Sequence, residues 1–344
     1  MASVTPARPA QTHHALSVAL GVVMLFFFID GFVRDASAVA ALALIVLGIF
    51  VVMGLIEISD GSLARWVQPR TVAVSLVGTL LVGLLGRTLG LSAVFAAAVV
   101  GVMAGLLPRV TSRVTNADTA PLYVGAFAGM TSPVVLMGPE WLILSGVITG
   151  SLWSVVREAW VGVGGKMGTV AFAGVALTAG IATLLGHGGG MVPLPRYLPA
   201  QEVAIVVASV VAAALTHWLA FARGWGVVLA SALPTAVVVF VFVGVSQAVT
   251  LPSDALIAAW FGGSFVGMTA TTRTAGGRWM LPAMGLVFGV LLILFEVNLS
   301  GLGGDLGATA AAAVIAVIGM DYVVRRGAAR TVDPARISVR HLGH

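Results

Sequence analysis

Two carboxylates stand at matching places in two apolar stretches of this chain. Glu158 and Glu296 are 138 residues apart, and Trp141 and Trp279 precede them at the same separation. An ionisable side chain is costly inside a membrane and is a functional candidate for that reason. The pair predicts a coupling or vestibule site at which a proton or another cation binds. The alternative is a structural role, in which each carboxylate reaches the membrane surface or forms a salt bridge.

A seven-residue motif repeats at the same separation. Residues 125–131 read GAFAGMT and residues 263–269 read GSFVGMT. Two glycines four residues apart give a helix a smooth face that suits close packing. In the alternative interpretation the helix breaks within the membrane, and its freed backbone groups line a pathway. The residues that we expect to form a permeation pathway or substrate site are Gly125, Phe127, Gly129, Thr131, Gly263, Phe265, Gly267 and Thr269.

A third pair of segments matches after one inserted residue. GGKMGTVAFAGV, from Gly164, aligns with GGDLGATAAAAV, from Gly303. Consecutive glycines at the start of a helix can present backbone N–H groups to an anion. A tight turn with Asp305 as helix cap is the simpler interpretation. Lys166, the chain's sole lysine, and Asp305 join the glutamates as candidate coupling or vestibule residues.

The composition shows which kind of chain must position these residues. Of 344 residues, 59% are hydrophobic and 9% are charged, whereas soluble proteins carry about 25% charged residues. Cysteine is absent, which excludes a disulfide-stapled domain and a cysteine-ligated metal site. We therefore predict an all-α polytopic membrane protein with about twelve apolar spans. The spans are 15–34, 37–57, 71–86, 91–107, 120–137, 141–161, 166–186, 203–222, 225–247, 254–272, 278–299 and 304–324.

The matched segments divide these spans into two repeats of five, after two additional helices. Because five is odd, the second repeat enters the membrane from the opposite side, which predicts a 2 + 5 + 5 arrangement with inverted topology. Inverted repeats are typical of secondary transporters and of several channels. The predicted parts are an N-terminal segment 1–14, two helices in 15–57, repeats at 71–186 and 203–324, and a basic tail 325–344.

The basic residues predict the orientation. With a cytoplasmic N-terminus, 14 of the 18 basic residues fall inside, while Arg34, Arg87 and Arg196 fall outside and Arg157 lies in a span. Cytoplasmic loops of membrane proteins carry this excess. We expect a multi-pass protein of the cell (inner) membrane with both termini in the cytoplasm. The basic residues are dispersed among the loops, so no nucleic-acid partner is predicted.

Two functions are compatible with this pattern. The first is a secondary transporter that moves a small solute or ion by alternating access, coupled to protons or cations through Glu158 and Glu296. The second is a passive channel or facilitator with a pore between the repeats. The span order and the Gly-aromatic-Gly segments resemble the inverted five-helix units of urea transporters, but the NPxxG signature of that family is absent.

An intramembrane enzyme is the minor alternative. The sequence has no GxxxxGK[ST] nucleotide loop, no HExxH metal motif and no Ser/His/Asp arrangement at a familiar spacing. We therefore predict no enzyme activity, catalytic residue, metal site or cofactor. The expected partners are the lipid bilayer and a small solute or ion, and a homo-oligomer is compatible with the two additional helices.

Overall fold

The computed structural model describes residues 38–58, 66–190, 198–246, 253–295 and 301–331, together with Gly21. This part of the chain is all-α and forms eleven helices. Their bounds are α1 (Ala38–Glu57), α2 (Pro69–Leu89), α3 (Ala93–Val110), α4 (Asn116–Gly129), α5 (Pro139–Val156), α6 (Lys166–Leu184), α7 (Pro199–His217), α8 (Val227–Ser246), α9 (Ser253–Gly267), α10 (Met280–Phe295) and α11 (Asp305–Thr331).

Six of these helices are long and apolar enough to cross a membrane. They are α2, α3, α5 and α6, then α7 with its π-helical continuation to Ala222, and α11 up to Gly327. By the length and composition of its helices, the described part of the chain is therefore typical of a multi-pass membrane protein. The helix α10 and the apolar parts of α1, α8 and α9 are shorter. Apart from Gly21, the predicted span 15–34 lies outside the described residues.

Three predicted spans extend several residues past the helices that the structure forms, and the span 141–161 is one of them, with its helix ending at Val156. The span 120–137 is helical only to Gly129, and the span 254–272 is helical only to Gly267. A threonine caps each of these last two helix ends, because the Thr131 and Thr269 hydroxyls donate to the carbonyls of residues 128 and 266, at 2.7 and 2.6 Å. Those carbonyls are thereby satisfied where the helical bonds stop.

The helices pack in two sets whose neighbours correspond. In the first set α2 lies against α4 and α5, and α6 lies against α4 and α5; in the second set α7 lies against α9 and α10, and α11 lies against α9 and α10. The helices α3 and α8 contact α4 and α9, respectively. The two sets meet where α3 packs on α8 and where α6 packs on α11.

The helix α1 lies outside these two sets and packs along α11. Glycines make the approach close, since a Cβ on Gly319 would lie 2.7 Å from the backbone nitrogen of Gly54. At one end Arg325 joins the two helices, because its guanidinium is 3.2 Å from Glu57 and 2.7 Å from Asp321. Among the described residues, no helix packs along α6 in the way that α1 packs along α11.

Candidate functional site

The end of α4 is held by residues from the other set of helices. The backbone N–H of Ser132 donates to the carbonyl of Gly301 at 2.8 Å. The backbone N–H of Gly303 donates to the Thr131 hydroxyl at 3.2 Å. Thr131 is 4% exposed. The predicted residue Thr131 therefore contacts the turn that precedes Asp305, and its hydroxyl bonds within the protein.

The end of α9 is held in the corresponding way by the first set. The backbone N–H of Ala270 donates to the carbonyl of Gly162 at 2.9 Å. A Cβ on Gly164 would lie 2.5 Å from both the Thr269 hydroxyl and the Phe265 carbonyl. Each glycine turn that the sequence pairs by similarity therefore packs against the helix end of the opposite set.

The helices α6 and α11 begin in direct backbone contact. Gly165 and Gly304 precede them with φ of 80° and 94°, in the left-handed region that glycine tolerates. A Cβ on Gly168 would lie 2.5 Å from the Gly307 Cα, and a Cβ on Gly307 would lie 2.5 Å from the Gly168 Cα. No larger residue fits at this crossing without moving a backbone.

The four glycines of the repeated motif pack against helices within their own sets. A Cβ on Gly129 would lie 2.5 Å from the Thr79 carbonyl of α2. A Cβ on Gly263 would lie 2.5 Å from the Ser209 carbonyl of α7. Gly125 and Gly267 approach the backbones at Ser75 and Ala213 in the same manner. These contacts are those of the close-packing interpretation.

The two phenylalanines of the motif meet between the sets. The ring centroids of Phe127 and Phe265 are 4.9 Å apart, in an edge-on arrangement. Phe261 joins them, with its ring 4.4 Å from that of Phe265. All three are at most 2% exposed. An aromatic cluster therefore fills the space between α4 and α9.

A chain of buried hydroxyls, which the sequence did not predict, lies beside this cluster. The Tyr123 hydroxyl of α4 is 3.4 Å from the Ser231 hydroxyl of α8. Ser231 is 2.7 Å from the Ser264 hydroxyl of α9. The one available signal was a tyrosine within an apolar span, which repeat matching passes over because the equivalent residue is Phe261.

The predicted coupling residue Glu158 lies in the turn that follows α5, rather than in a helix. Its side chain is 51% exposed and is 3.5 Å from the guanidinium of Arg157. This placement differs from the span 141–161, because α5 ends at Val156. Its predicted partner Glu296 lies outside the described residues.

Lys166 is the most enclosed of the predicted charged residues. It is 7% exposed. Its ammonium donates to the Arg157 carbonyl at 2.7 Å and lies 5.1 Å from the centre of the Trp153 ring. The carbonyl and the ring face both stabilise a cation. Glu158 lies within the turn 157–165, and Lys166 follows directly after that turn as the first residue of α6.

Asp305 occupies the corresponding place at the start of α11. Its carboxylate accepts a hydrogen bond from the Leu306 backbone N–H at 2.6 Å. An acidic residue in the first turn of a helix is favoured by the helix dipole. The helix begins at Asp305, so Asp305 is the first helical residue and not the predicted N-cap, whose side chain would accept from the second or third helical residue.

The turn between α5 and α6 contains a strained residue that the sequence did not single out. Trp160 is fully buried and has a φ of 50°. Among the described residues it is the one non-glycine with a positive φ, and its indole nitrogen has no hydrogen-bond partner there. Such strain often accompanies functional sites.

Comparisons with known proteins add no family to these observations. Within the described ranges, no group of three or more His, Cys, Asp or Glu residues could hold a metal ion. No protein-family model, no curated protein and no solved structure matches the chain.

Proposed function

We propose that this protein is a membrane transporter that moves a small solute or ion by alternating access between two inverted five-helix units. The first unit is α2–α6 and the second is α7–α11. Inverted units of this kind characterise secondary transporters, whose sites lie at the interface between the units. The proposal includes all twelve predicted spans, the cell (inner) membrane and two cytoplasmic termini.

One observation carries the proposal, which is the reciprocal holding of helix ends. Ser132 of the first unit bonds to Gly301 of the second, and Ala270 of the second bonds to Gly162 of the first. The neighbours of each helix in one unit correspond to those of its counterpart in the other. A two-fold exchange of equivalent contacts supports duplicated units, since unrelated helices have no reason to repeat them.

The closed centre favours alternating access over an open pore. Phe127, Phe261 and Phe265 fill the contact between α4 and α9 with rings that are at most 2% exposed. A transporter needs such a barrier in every state, because the pathway opens to one side at a time. A rocking motion of one unit against the other would part these rings on one side.

Coupling is assigned to the turn that carries Glu158 and Lys166. A carboxylate and a buried ammonium at one turn form a site where a proton can be gained or lost. Because Lys166 starts a helix that crosses the second unit at Gly307, a change of charge there acts on the contact between the units.

The experiment is uptake into proteoliposomes that contain the purified protein. The probes are radiolabelled glycerol, urea, glycine and lactate, under an imposed pH or sodium gradient, with pyranine inside to report protons. We expect gradient-driven uptake of one probe and a loss of about tenfold or more in Glu158→Gln. Glu140→Gln, an exposed glutamate at the other end of α5, is the matched control and should keep wild-type uptake.

A channel or facilitator is the second candidate, favoured by the uncharged chain of Tyr123, Ser231 and Ser264. A neutral lining suits passive movement of a neutral solute. Flux that needs no gradient in the wild type and survives Glu158→Gln would establish this candidate and overturn coupled transport.

A further inference from the structure

The buried hydroxyl chain connects the two units at the centre of the protein. Tyr123 belongs to α4, Ser231 to α8 and Ser264 to α9. All three residues are completely buried. A hydroxyl removed from water is costly unless it is fully hydrogen-bonded.

Counting hydrogens fixes the direction of the chain. Ser264 donates to the Phe261 carbonyl at 2.5 Å. Each hydroxyl has one hydrogen to donate. Ser231 must therefore donate to Ser264 at 2.7 Å, and the Tyr123 hydroxyl is left to donate to Ser231 at 3.4 Å.

Tyr123 is the incomplete end of this chain. A bond between two hydroxyls is usually about 2.5–3.0 Å long, so the bond of Tyr123 at 3.4 Å is weak. Among the described residues, Ser231 is the only hydrogen-bond partner of the phenol. The Tyr123 oxygen therefore keeps free acceptor positions and a poorly used donor hydrogen, at full burial.

Packing does not require the hydroxyls of Tyr123 and Ser264. At the equivalent positions of the opposite unit stand Phe261, in place of Tyr123, and Ala126, in place of Ser264. Those apolar residues are also fully buried, and they accompany the same helix contacts. The row of hydrogen-bonded hydroxyls thus occurs at one of two equivalent places in units that otherwise match.

The surroundings of Tyr123 are uncharged. Its ring centroid lies 4.3 Å from that of Phe127, at the aromatic cluster, and the ring also packs against Gly101 of α3. On the described parts of the three helices that carry the hydroxyls, the charged residues are Asp118 and Asp254, both in first turns. Asp118 is already paired with Arg70 at 2.6 Å.

We infer that Tyr123, Ser231 and Ser264 form the solute-recognition site, which takes a small uncharged solute bearing hydroxyl or amide groups. The inference rests on the proposed transport function and names its substrate class. Such a solute donates a hydrogen bond to the Tyr123 oxygen and accepts its hydrogen. A charged solute would lose its hydration without gaining an opposite charge.

The test measures binding and flux separately, on the full-length protein. Binding is read from the shift in thermal unfolding produced by glycerol, urea, acetamide, acetate or ethylammonium. Flux of the same probes is read from light scattering of proteoliposomes. We expect wild-type binding and flux of at least one uncharged probe, and neither acetate nor ethylammonium should compete.

The informative variant is Tyr123→Phe, which removes one oxygen and keeps the ring. We expect KM to rise about tenfold, because a lost bond to a buried polar group costs about that factor. The unfolding temperature without solute should stay near that of the wild type. Ser264→Ala should act in the same direction, whereas Ser145→Ala, a buried hydroxyl in α5 that bonds to Leu142, is the control and should change nothing.

The outcomes separate this inference from the transport proposal. The recognition site is overturned, while transport stands, if only charged probes are transported. The same holds if Tyr123→Phe and Ser264→Ala leave the flux of uncharged probes unchanged. If an uncharged probe binds, Tyr123→Phe weakens its binding and no probe is transported, the recognition site is supported and transport is overturned. A wild type that neither binds nor moves any probe overturns both.

Discussion

The Asp118 carboxylate fastens the start of α4 to the start of α2. The Arg70 guanidinium donates to both of its oxygens, at 2.8 and 2.6 Å. The backbone N–H and the hydroxyl of Thr115 also donate to it, each at 2.8 Å. The Arg70 hydrogen bonds, with those from Thr115, lower the pKa of Asp118 to about 2. Asp118 precedes the apolar part of α4 and lies outside the six long spans.

This lowered pKa predicts a pH-dependent stability. The unfolded carboxyl has a pKa of 3.8, so the folded state favours the charged form. The contribution is complete above that value and is lost as the pH falls toward about 2. Because Arg70 is largely exposed, we discount the shift and expect Asp118→Asn to cost about 1 kcal/mol at pH 7.

The measurement is the unfolding midpoint of the detergent-solubilised protein from pH 7 to pH 3. The difference in midpoint between wild type and Asp118→Asn should narrow at the acid end, because below pH 3.8 the carboxyl of the unfolded wild type takes up a proton that the folded one, with a pKa of about 2, still resists. If the difference in unfolding midpoint between the two proteins does not change with pH, the ion pair contributes no net stability.

At this scale the sequence reveals residue types better than their surroundings. Lys166 and Asp305 were identified because charge is rare in the chain, and the structure shows one buried beside Trp153 and the other at a helix start. Trp160 was not identified, because a tryptophan in an apolar stretch is compatible with ordinary core packing. Its backbone strain arises from the turn between α5 and α6, which no local pattern encodes.

At the scale of elements, the crossing of α6 and α11 gives the sharpest prediction. Gly165→Ala forces a side chain into the left-handed region and against the backbone at Gly307 and Ala311. We expect a loss of about 3 kcal/mol or more, from strain and overpacking together. Gly304→Ala should behave alike, since its Cβ would lie 2.6 Å from the Phe172 nitrogen.

The same helix offers a matched control. Gly180 lies within α6, and a Cβ there has no neighbour within 4 Å. Gly180→Ala should therefore be neutral or stabilising by up to about 1 kcal/mol, through helix propensity. Thermal unfolding followed by tryptophan fluorescence compares the three variants. Equal midpoints for Gly165→Ala and Gly180→Ala would show that the crossing is loose.

The elements themselves were partly predictable. Hydropathy located the helices, because burial in lipid requires long apolar runs. It extended α4 and α9 too far, since Thr131 and Thr269 bond to a carbonyl at each helix end while the sequence stays apolar, and it extended α5 past Val156. The pairing of GGKMGT with GGDLGA indicated equivalence, but equivalence does not specify contact. Only the folded chain shows each glycine turn against the motif of the opposite set.

At the scale of the whole molecule, the proposed orientation can be tested with single cysteines. The chain contains no cysteine, so an introduced thiol is labelled without background. Ser112, in the turn before α4, should face the cytoplasm, and Leu185, just after α6, should face outward. Both residues are exposed. The helices α4, α5 and α6 lie between them, and three crossings place them on opposite sides.

A membrane-impermeant maleimide added to intact cells should label Leu185→Cys and spare Ser112→Cys. Permeabilised cells should show both labels. The reverse pattern would invert the orientation, and labelling of both variants in intact cells would contradict three crossings. The charge distribution predicts this orientation because positive loops are retained in the cytoplasm.

The exchanged helix ends also have a consequence for how the protein is made. The chain emerges from the ribosome N-terminus first. Ser132 and Thr131 hydrogen-bond to Gly301 and Gly303, which are synthesised about 170 residues later. Until then the hydrogen bonds at the end of α4 cannot form. The end of α9 bonds to Gly162, which is made before it, so it is the end of α4 that depends on the turn before α11. A prematurely terminated product would remain open at that end and be recognisable to cellular quality control as unfinished.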